Sequence, residues 1–293
     1  MNSFISYLIS GIGLGSIYAL IALGYTMVYG IAKMLNFAHG DVIMVGGYAV
    51  FLSISSLNCP VWLSIIIGIV VCTVLGVVIE RVAYKPLRNA SSLSVLITAI
   101  GVSYLLQNLV LNILGSNART FKSVVSLKTI EINSQLKISG EAVVTIIVTV
   151  VIMVALTLFI NKTKTGMAMQ AVSEDKGAAQ LMGINVNKTI SIVFAIGSGL
   201  AAVAGILLCS TFTQVSPYTG SMPGIKAFIA AVFGGIGSIP GAMIGGILLG
   251  IIENLSKAYI STQVADAIVF ASLIIVLILK PTGLLGKKIN EKV

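Results

Sequence analysis

The chain is dominated by long runs of apolar residues that are separated by short polar stretches. A membrane-spanning helix needs roughly 20 apolar residues and pairs all of its backbone polar groups internally. The runs lack the alternation over about ten residues that is typical of barrel strands, so helices are expected. The pattern predicts spans at residues 7–31, 42–57, 62–79, 93–114, 143–160, 190–211 and 264–279.

The stretch 224–252 departs from this pattern, because a Gly-rich turn at 234–241 divides it into two arms. At 1.5 Å per residue the first arm, 224–233, is too short to cross roughly 30 Å of hydrocarbon. We therefore expect a broken or re-entrant helix pair here. The predicted fold is an all-α, polytopic membrane protein with about eight transmembrane helices plus this segment, in one domain over residues 1–293.

Composition supports a membrane protein and excludes a water-soluble globule. Hydrophobic residues make up 57% and charged residues only 9% of the chain, whereas soluble domains carry about 25% charged residues. The net charge of +9 is expected on loops that flank the membrane and not as a nucleic-acid surface. Three cysteines without CxxC spacing and a single histidine predict no metal site, and no catalytic motif is present.

Basic residues decide the expected orientation. If 224–257 enters and leaves the membrane on one face, twelve of the 18 Lys and Arg residues share one side, whereas a single crossing divides them nine and nine. Cytoplasmic loops carry the excess of Lys and Arg. The first topology therefore puts the loop 161–189 and the C-terminus in the cytoplasm. It leaves the N-terminus and the loop 115–141 outside, with a hairpin predicted at 126–139.

A polar break at residues 36–41 is the first candidate for a translocation pathway. Ionisable groups at membrane depth are functional by default, and broken helices offer backbone groups to polar substrates. The alternative is a surface turn in which Asn36 or Asp41 caps the next helix. The candidate residues are Asn36, His39 and Asp41.

The Gly-rich turn is the second candidate, either as a break that lines the pathway or as a close contact between helices. Its candidate residues are Gly234, Gly235, Gly237 and Pro240. No Gly-Lys-Ser or Gly-Lys-Thr follows the glycines, so nucleotide binding is not expected. Near the ends of later runs, Glu253 and Asp266 are interpreted as anchors at the outer boundary, beside Lys257, and not as a proton relay.

A polar island at 166–190 between two uncharged runs predicts a docking helix at the membrane surface. Ser173 is expected to cap it, and Gly183 to end it. A solvated loop is the alternative. Because the spans are almost free of charge and no nucleotide motif is present, energy for active transport would come from a partner. The candidate docking residues are Glu174, Asp175, Ala178, Ala179, Leu181, Met182 and Gly183.

Several of these stretches resemble the permease subunits of ABC importers for branched-chain amino acids, of the LivH type. The resemblance rests on YALIALGYTMVY at 18–29 leading into NFAHGD at 36–41, on residues 166–183, on FGGIGSIPGA at 233–242 and on KPTGLLG at 280–286. The importer pattern Glu-Ala-Ala, three residues, then Gly is matched by Ala178, Ala179 and Gly183. Gly177 stands where the glutamate would be.

The resemblance implies a multi-pass protein of the bacterial inner membrane and a coupling helix in the loop 161–189. It implies four kinds of partner: a second permease in a heterodimer, two ATPase subunits that hold ATP and Mg, an extracytoplasmic binding protein and the amino-acid substrate. This chain itself is expected to bind no cofactor and to be no enzyme. Urea or another amide is an alternative substrate, and a self-contained channel or secondary carrier is an alternative class.

Overall fold

The computed structural model describes residues 2–88, 90–125, 127, 129–133 and 136–286. The tail lysines at 287, 288 and 292, which entered the charge count above, lie outside these residues. The helices are α1 (Asn2–Ala32), α2 (His39–Ser55), α3 (Val61–Ile79), α4 (Ser92–Leu114), α5 (Gly140–Lys162), α6 (Lys164–Glu174), α7 (Lys176–Leu181), α8 (Val186–Phe212), α9 (Ser221–Gly234), α10 (Ile239–Tyr259) and α11 (Ala265–Leu279).

The predicted all-α, polytopic fold is confirmed. Within the described residues, six helices are long and apolar enough to cross a membrane, namely α1, α3, α4, α5, α8 and α10. Three shorter apolar helices, α2, α9 and α11, accompany them. A π-helical turn, Glu80–Tyr84, and a 3-10 turn, Lys85–Leu87, continue α3.

Short strands occur only between helices in the described part of the chain. β2 (Ile130–Asn133) pairs with β3 (Leu136–Ile138) in an antiparallel hairpin, as predicted for 126–139. β1 (Arg119–Thr120) pairs with β4 (Gln214–Val215), which ties the loop after α4 to the end of α8.

Helix α2 begins inside the helix bundle. Lys33 has a φ of 58° and ends α1, after which the chain turns back between the helices. A Cβ built on Gly24 would lie only 2.4 Å from Nε2 of His39, the first residue of α2. Gly24 is eight residues before the end of α1, about 12 Å at 1.5 Å per residue. The start of α2 therefore lies inside the bundle, about 12 Å along α1 from the end of that helix.

Helices α9 and α10 form the broken pair that was expected from the Gly-rich turn. α9 has 14 residues and α10 has 21, so only the second arm is long enough to span. Gly235 and Gly237 join them with φ angles of 106° and 92°, which favour glycine. The predicted second arm ended at 252, but the helix continues to Tyr259.

The core consists of α1, α8 and the inward faces of the helices that pack against them. Glycines let these helices approach closely. α10 runs antiparallel to α1: a Cβ on Gly15 would be 2.7 Å from Ile247, whereas Gly237 lies beside Gly30. α3, α4, α5 and α11 keep outward faces that expose large apolar side chains, as a bilayer requires.

Contacts place α6, α7 and the C-terminal segment on one face of the bundle. Nζ of Lys176, in α7, donates to the carbonyl of Ala32 at the end of α1. The backbone of Leu284 pairs with Phe233 at the end of α9, close to where α10 begins. We call this side the α6–α7 face. The N-terminal end of α1 is at the other end of the helix, so it lies on the opposite face.

Candidate functional site

A polar cluster joins the starts of α2 and α9 to the middle of α4. Nε2 of Gln107 donates to Oδ1 of Asp41 at 2.8 Å and lies 3.4 Å from Oγ of both Ser221 and Ser103. Asp41 is in the first turn of α2, and Ser221 is the first residue of α9. One amide therefore connects the beginnings of two short helices at depth in the bundle.

The two short helices approach each other closely enough for their backbones to touch. A Cβ on Gly220 would lie 1.7 Å from the carbonyl oxygen of Gly40, and a Cβ on Gly224 would lie 2.9 Å from Cα of Gly40. No side chain fits between these segments, so glycine is required at the contact. Because a helix N-terminus carries a partial positive charge, this arrangement brings two positive helix ends together inside the bundle.

The predicted residues of 36–41 are all buried, which excludes the surface turn. Asn36, His39 and Asp41 are 3%, 1% and 2% exposed. No side chain caps α2, because its N-cap is Ala38. Oδ1 of Asn36 accepts a 2.9 Å hydrogen bond from Tyr84 in the π-helical turn after α3.

His39 packs against an aromatic neighbour within this region, with the two rings tilted by 58°. Its ring centroid is 4.7 Å from that of Tyr25, and its Nε2 has no hydrogen-bond partner among the described residues. Phe228 of α9 packs against Tyr25, and Phe37 against Phe228. An aromatic wall thus lies beside the polar cluster and connects α1, α9 and the segment before α2.

The Gly-rich turn lies apart from Asp41, at the α6–α7 face. Gly235 contacts the backbone of Gly286, and the backbone N–H of Leu285 donates to the carbonyl of Gly234 at 2.9 Å. Pro240 occupies the first turn of α10, which Ser238 caps through the N–H of Gly241. The structure therefore separates the two predicted pathway segments.

A small cavity of about 10 Å³ lies between the two segments. It is lined by Tyr25, Tyr29, Met34, Leu35, Asn36, Phe228, Ala231 and Ile236. Asn36 comes from the break before α2 and Ile236 from the Gly-rich turn, so the cavity is lined by one residue of each candidate segment.

The polar island at 166–190 folds as two helices, α6 and α7, instead of the single short helix that was expected. The cap of α7 is Asp175, whose Oδ1 accepts from the N–H of Ala178 at 2.9 Å. The expected cap, Ser173, instead donates to the carbonyl of Gln170 within α6. Gly183 follows α7 with a φ of 81°. The prediction was wrong because Ser173 and Asp175 are only two residues apart and both residue types are good caps.

Most of the candidate docking residues are at the surface. Leu181 and Met182 are 90% and 82% exposed, although both are apolar. Ala179, in contrast, is 3% exposed and packs into the core, so it cannot contact a partner directly. The others, Glu174, Asp175, Ala178 and Gly183, are exposed.

Lys176 connects α7 to the break before α2. Its Nζ donates to the carbonyl of Ala32 at 2.9 Å, at the negative end of α1. Burial lowers the pKa of Lys176, and the nearby charges of Arg88 and Lys33 lower it further. A displacement of α7 would therefore act directly on the end of α1 and on the residues that follow it.

Glu253 is not the boundary anchor that the sequence predicted. Its side chain is 1% exposed and accepts from Tyr18 at 2.8 Å, from Lys226 at 2.8 Å and from Lys257 at 2.5 Å. Lys226 also pairs with Asp266 at 2.7 Å. This network joins α1, α9, α10 and α11. Lys226 was not among the predicted site residues, although a lysine inside the short apolar arm of α9 requires a partner at membrane depth.

Comparison with known proteins identifies relatives over nearly the whole chain. A family model described as "Branched-chain amino acid transport system / permease component" matches residues 7–277. The chain is 47% identical to the high-affinity branched-chain amino acid transport system permease protein LivH of Escherichia coli K12, over 99% of this chain and 98% of that protein.

Two further relatives are more distant. The permease protein BraD of the high-affinity branched-chain amino acid transport system of Pseudomonas aeruginosa is 42% identical, over 99% of this chain and 98% of that protein. A probable branched-chain amino acid transport permease protein LivH of Methanocaldococcus jannaschii is 31% identical, over 92% of this chain and 86% of that protein.

Proposed function

Because the chain belongs to the family of permease components of branched-chain amino acid transport systems, we propose that it forms the translocation pathway of an ABC importer for branched-chain or other hydrophobic amino acids. The observation that carries this proposal is the meeting of α2 and α9 at Gly40 and Gly220. Two interrupted helices that start at membrane depth are a typical way to present polar groups to a solute.

The polar cluster suits a zwitterionic substrate with an apolar side chain. The carboxylate of Asp41 would attract the ammonium group, while the positive ends of α2 and α9 would attract the carboxylate. Tyr25 and Phe228, 5.9 Å apart between ring centroids, provide an apolar wall for the side chain. The small cavity beside Asn36 and Ile236 would widen during transport, and Gly234, Gly235, Gly237 and Pro240 would line the exit.

Energy would reach the pathway through α7. Its exposed apolar pair, Leu181 and Met182, would fill a groove on one of two ATPase subunits, and those subunits would bind the ATP and Mg. Movement of α7 would pass through Lys176 to the end of α1 and to the break before α2. The α6–α7 face would then be cytoplasmic in a bacterial inner membrane, with the N-terminus outside facing an extracytoplasmic binding protein.

A second permease subunit would cover α4. One outward stripe of this helix contains Ile97, Tyr104, Asn108 and Asn112, all exposed. The amides of Asn108 and Asn112 donate only to carbonyls of their own helix, so their oxygens would face hydrocarbon. The outward stripe of α3, with Val70, Val74 and Val78, is entirely apolar. Polar groups inside a membrane favour contact with another helix over contact with lipid.

Reconstituted transport tests the proposed function. We expect ATP-dependent uptake of leucine into proteoliposomes that contain this chain with its ATPases, second permease and binding protein. Leu181→Arg with Met182→Arg should remove two contacts that would be buried against the ATPase subunit and are worth roughly 2 kcal/mol each. The variant should therefore bind the ATPase several hundredfold more weakly. Uptake should then fall to background.

Leu57→Arg is the matched control, because Leu57 is also an exposed leucine, 67% exposed, in the α2–α3 connection. It should leave uptake and ATPase binding unchanged. Uptake without ATPase subunits would contradict the importer and support a channel or secondary carrier. ATP-dependent uptake of urea or an amide in place of leucine would contradict the proposed substrate but agree with the proposed coupling to the ATPase subunits.

Photo-cross-linking tests the position of the second permease. With benzoylphenylalanine at Asn108, we expect a covalent product with the second permease subunit. The same group at Val74 of α3 should yield products only with lipid. A protein product from Val74 and none from Asn108 would place the subunit contact on α3 instead.

A further inference from the structure

An open groove between α3 and α8 contains three cations near the α6–α7 face. The cavity has a volume of about 670 Å³ and is lined by Val77, Arg81, Lys85, Asn185, Asn187, Lys188, Ser191, Ile192 and Ala195. Basic pockets between transmembrane helices at a membrane surface are suited to anionic lipid headgroups. We propose that this groove binds the phosphodiester headgroup of an anionic phospholipid.

The three cations have no anionic partner among the described residues. Arg81, Lys85 and Lys188 are exposed, and none forms a salt bridge within the part of the chain that the structure describes. Like charges that line one cavity repel each other, so an anion between them would relieve the repulsion. The groove therefore has the charge of an anion site.

The back wall of the groove is fixed by a buried ion pair. Arg88 pairs with Glu80, which is 0% exposed, and also donates to Oδ1 of Asn187. The second oxygen of Glu80 accepts from Ser191 at 2.6 Å. Because Glu80 is already paired with Arg88, it does not neutralise the three cations of the groove. Asn185 also caps the N-terminus of α8 here, which adds a partial positive charge.

The groove continues into an exposed apolar surface against which acyl chains can pack. Val70, Val74 and Val77 of α3 and Arg81 of the π-helical turn after it recur at helical spacing, so an apolar stripe ends at the cationic mouth. Val70 and Val74 are 54% and 57% exposed. Ile192 and Ala195 form the opposing apolar wall on α8. A soluble phosphate would use only the mouth, whereas a phospholipid would use both the mouth and the stripe.

Lipid retention measured by native mass spectrometry of the purified chain tests this proposal without any transport assay. The probe is phosphatidylglycerol, with phosphatidylcholine as the neutral comparison. Each basic residue near an anionic lipid contributes roughly a fivefold preference. Arg81→Gln with Lys188→Gln should therefore bind phosphatidylglycerol about 25-fold more weakly. Phosphatidylcholine binding should not change.

Lys162→Gln with Lys164→Gln is the matched control, since it removes two exposed cations of the α6–α7 face outside the groove. It should retain phosphatidylglycerol like the unchanged chain. Ala195→Phe is a second variant, which fills the groove at constant charge and should also lose the lipid. It keeps the test decisive if the double variant fails to fold.

Three results would overturn the proposal. Equal loss of phosphatidylglycerol in the control pair would show a diffuse surface effect. Displacement of the lipid by glycerol phosphate or inorganic phosphate at similar concentrations would identify a soluble phosphate site. Unchanged lipid binding, with loss of ATPase association in Arg81→Gln with Lys188→Gln, would make the groove a protein contact.

Discussion

Gly220→Ala is expected to abolish transport and to lower the melting temperature sharply. The added Cβ would lie 1.7 Å from the carbonyl oxygen of Gly40, and the atoms around that oxygen are backbone. No side chain can rotate away, so α2 and α9 would have to move apart. Overpacking of this kind costs about 1–3 kcal/mol, and more where backbone must shift. The displacement would also separate Asp41 and Ser221 from Gln107.

Gly199→Ala is the control for this variant. Gly199 lies in the interior of α8, and its added Cβ would approach only Oγ1 of Thr73, at 3.3 Å, and Ile69. Alanine in place of glycine stabilises a helix by up to about 1 kcal/mol, which offsets a small adjustment. Thermal unfolding in detergent and uptake should therefore match the unchanged chain. Unchanged melting of Gly220→Ala would mean that the two helix starts are not in backbone contact.

The long spans could be predicted because lipid imposes their length and composition. The predicted span 93–114 differs from α4 by one residue at its start, and 62–79 differs from α3 likewise. The break between α9 and α10 was also predictable, because its first arm is too short to cross. These features depend on local sequence alone.

The depth of the break at 36–41 could not be obtained in this way. A polar turn at the surface and a re-entrant break have the same local composition, and only the packing of His39 against Gly24 distinguishes them. The exposure of Ala179 and Leu181 could not be predicted from local sequence either. Both belong to α7, but the neighbouring helices decide that Ala179 is buried while Leu181 is exposed.

The buried charge network shows the largest gap between sequence and structure. Lys226 and Glu253 are 27 residues apart, and each lies in an apolar run that gives no sign of the other. Pairing of distant ions is set by how α9 folds back on α10. The pairing of Lys226 with Glu253 therefore cannot be predicted from either segment alone. Taken by itself, Glu253 is only an acidic residue near the end of an apolar run.

The second large effect is expected for Lys226→Met. The side chains of Lys226 and Glu253 are only 7% and 1% exposed, so when the lysine is lost the remaining carboxylate is not solvated and keeps only the partly exposed Lys257 as a cation. Removing one partner of a buried ion pair typically costs about 3–5 kcal/mol. Asp266 would lose its partner as well. We expect a large fall in the free energy of unfolding, measured by denaturation of the purified chain.

The double variant Lys226→Met with Glu253→Gln separates the charge from the packing. Replacing both ions by neutral groups of similar volume is often close to neutral, so the double variant should recover much of the stability lost in Lys226→Met. Lys257→Met is the control, because Lys257 is 33% exposed and partly exposed pairs contribute about 1 kcal/mol or less. If the losses from Lys226→Met and Glu253→Gln simply added, the two residues would be energetically independent, and α9 would be held to α10 by apolar packing alone.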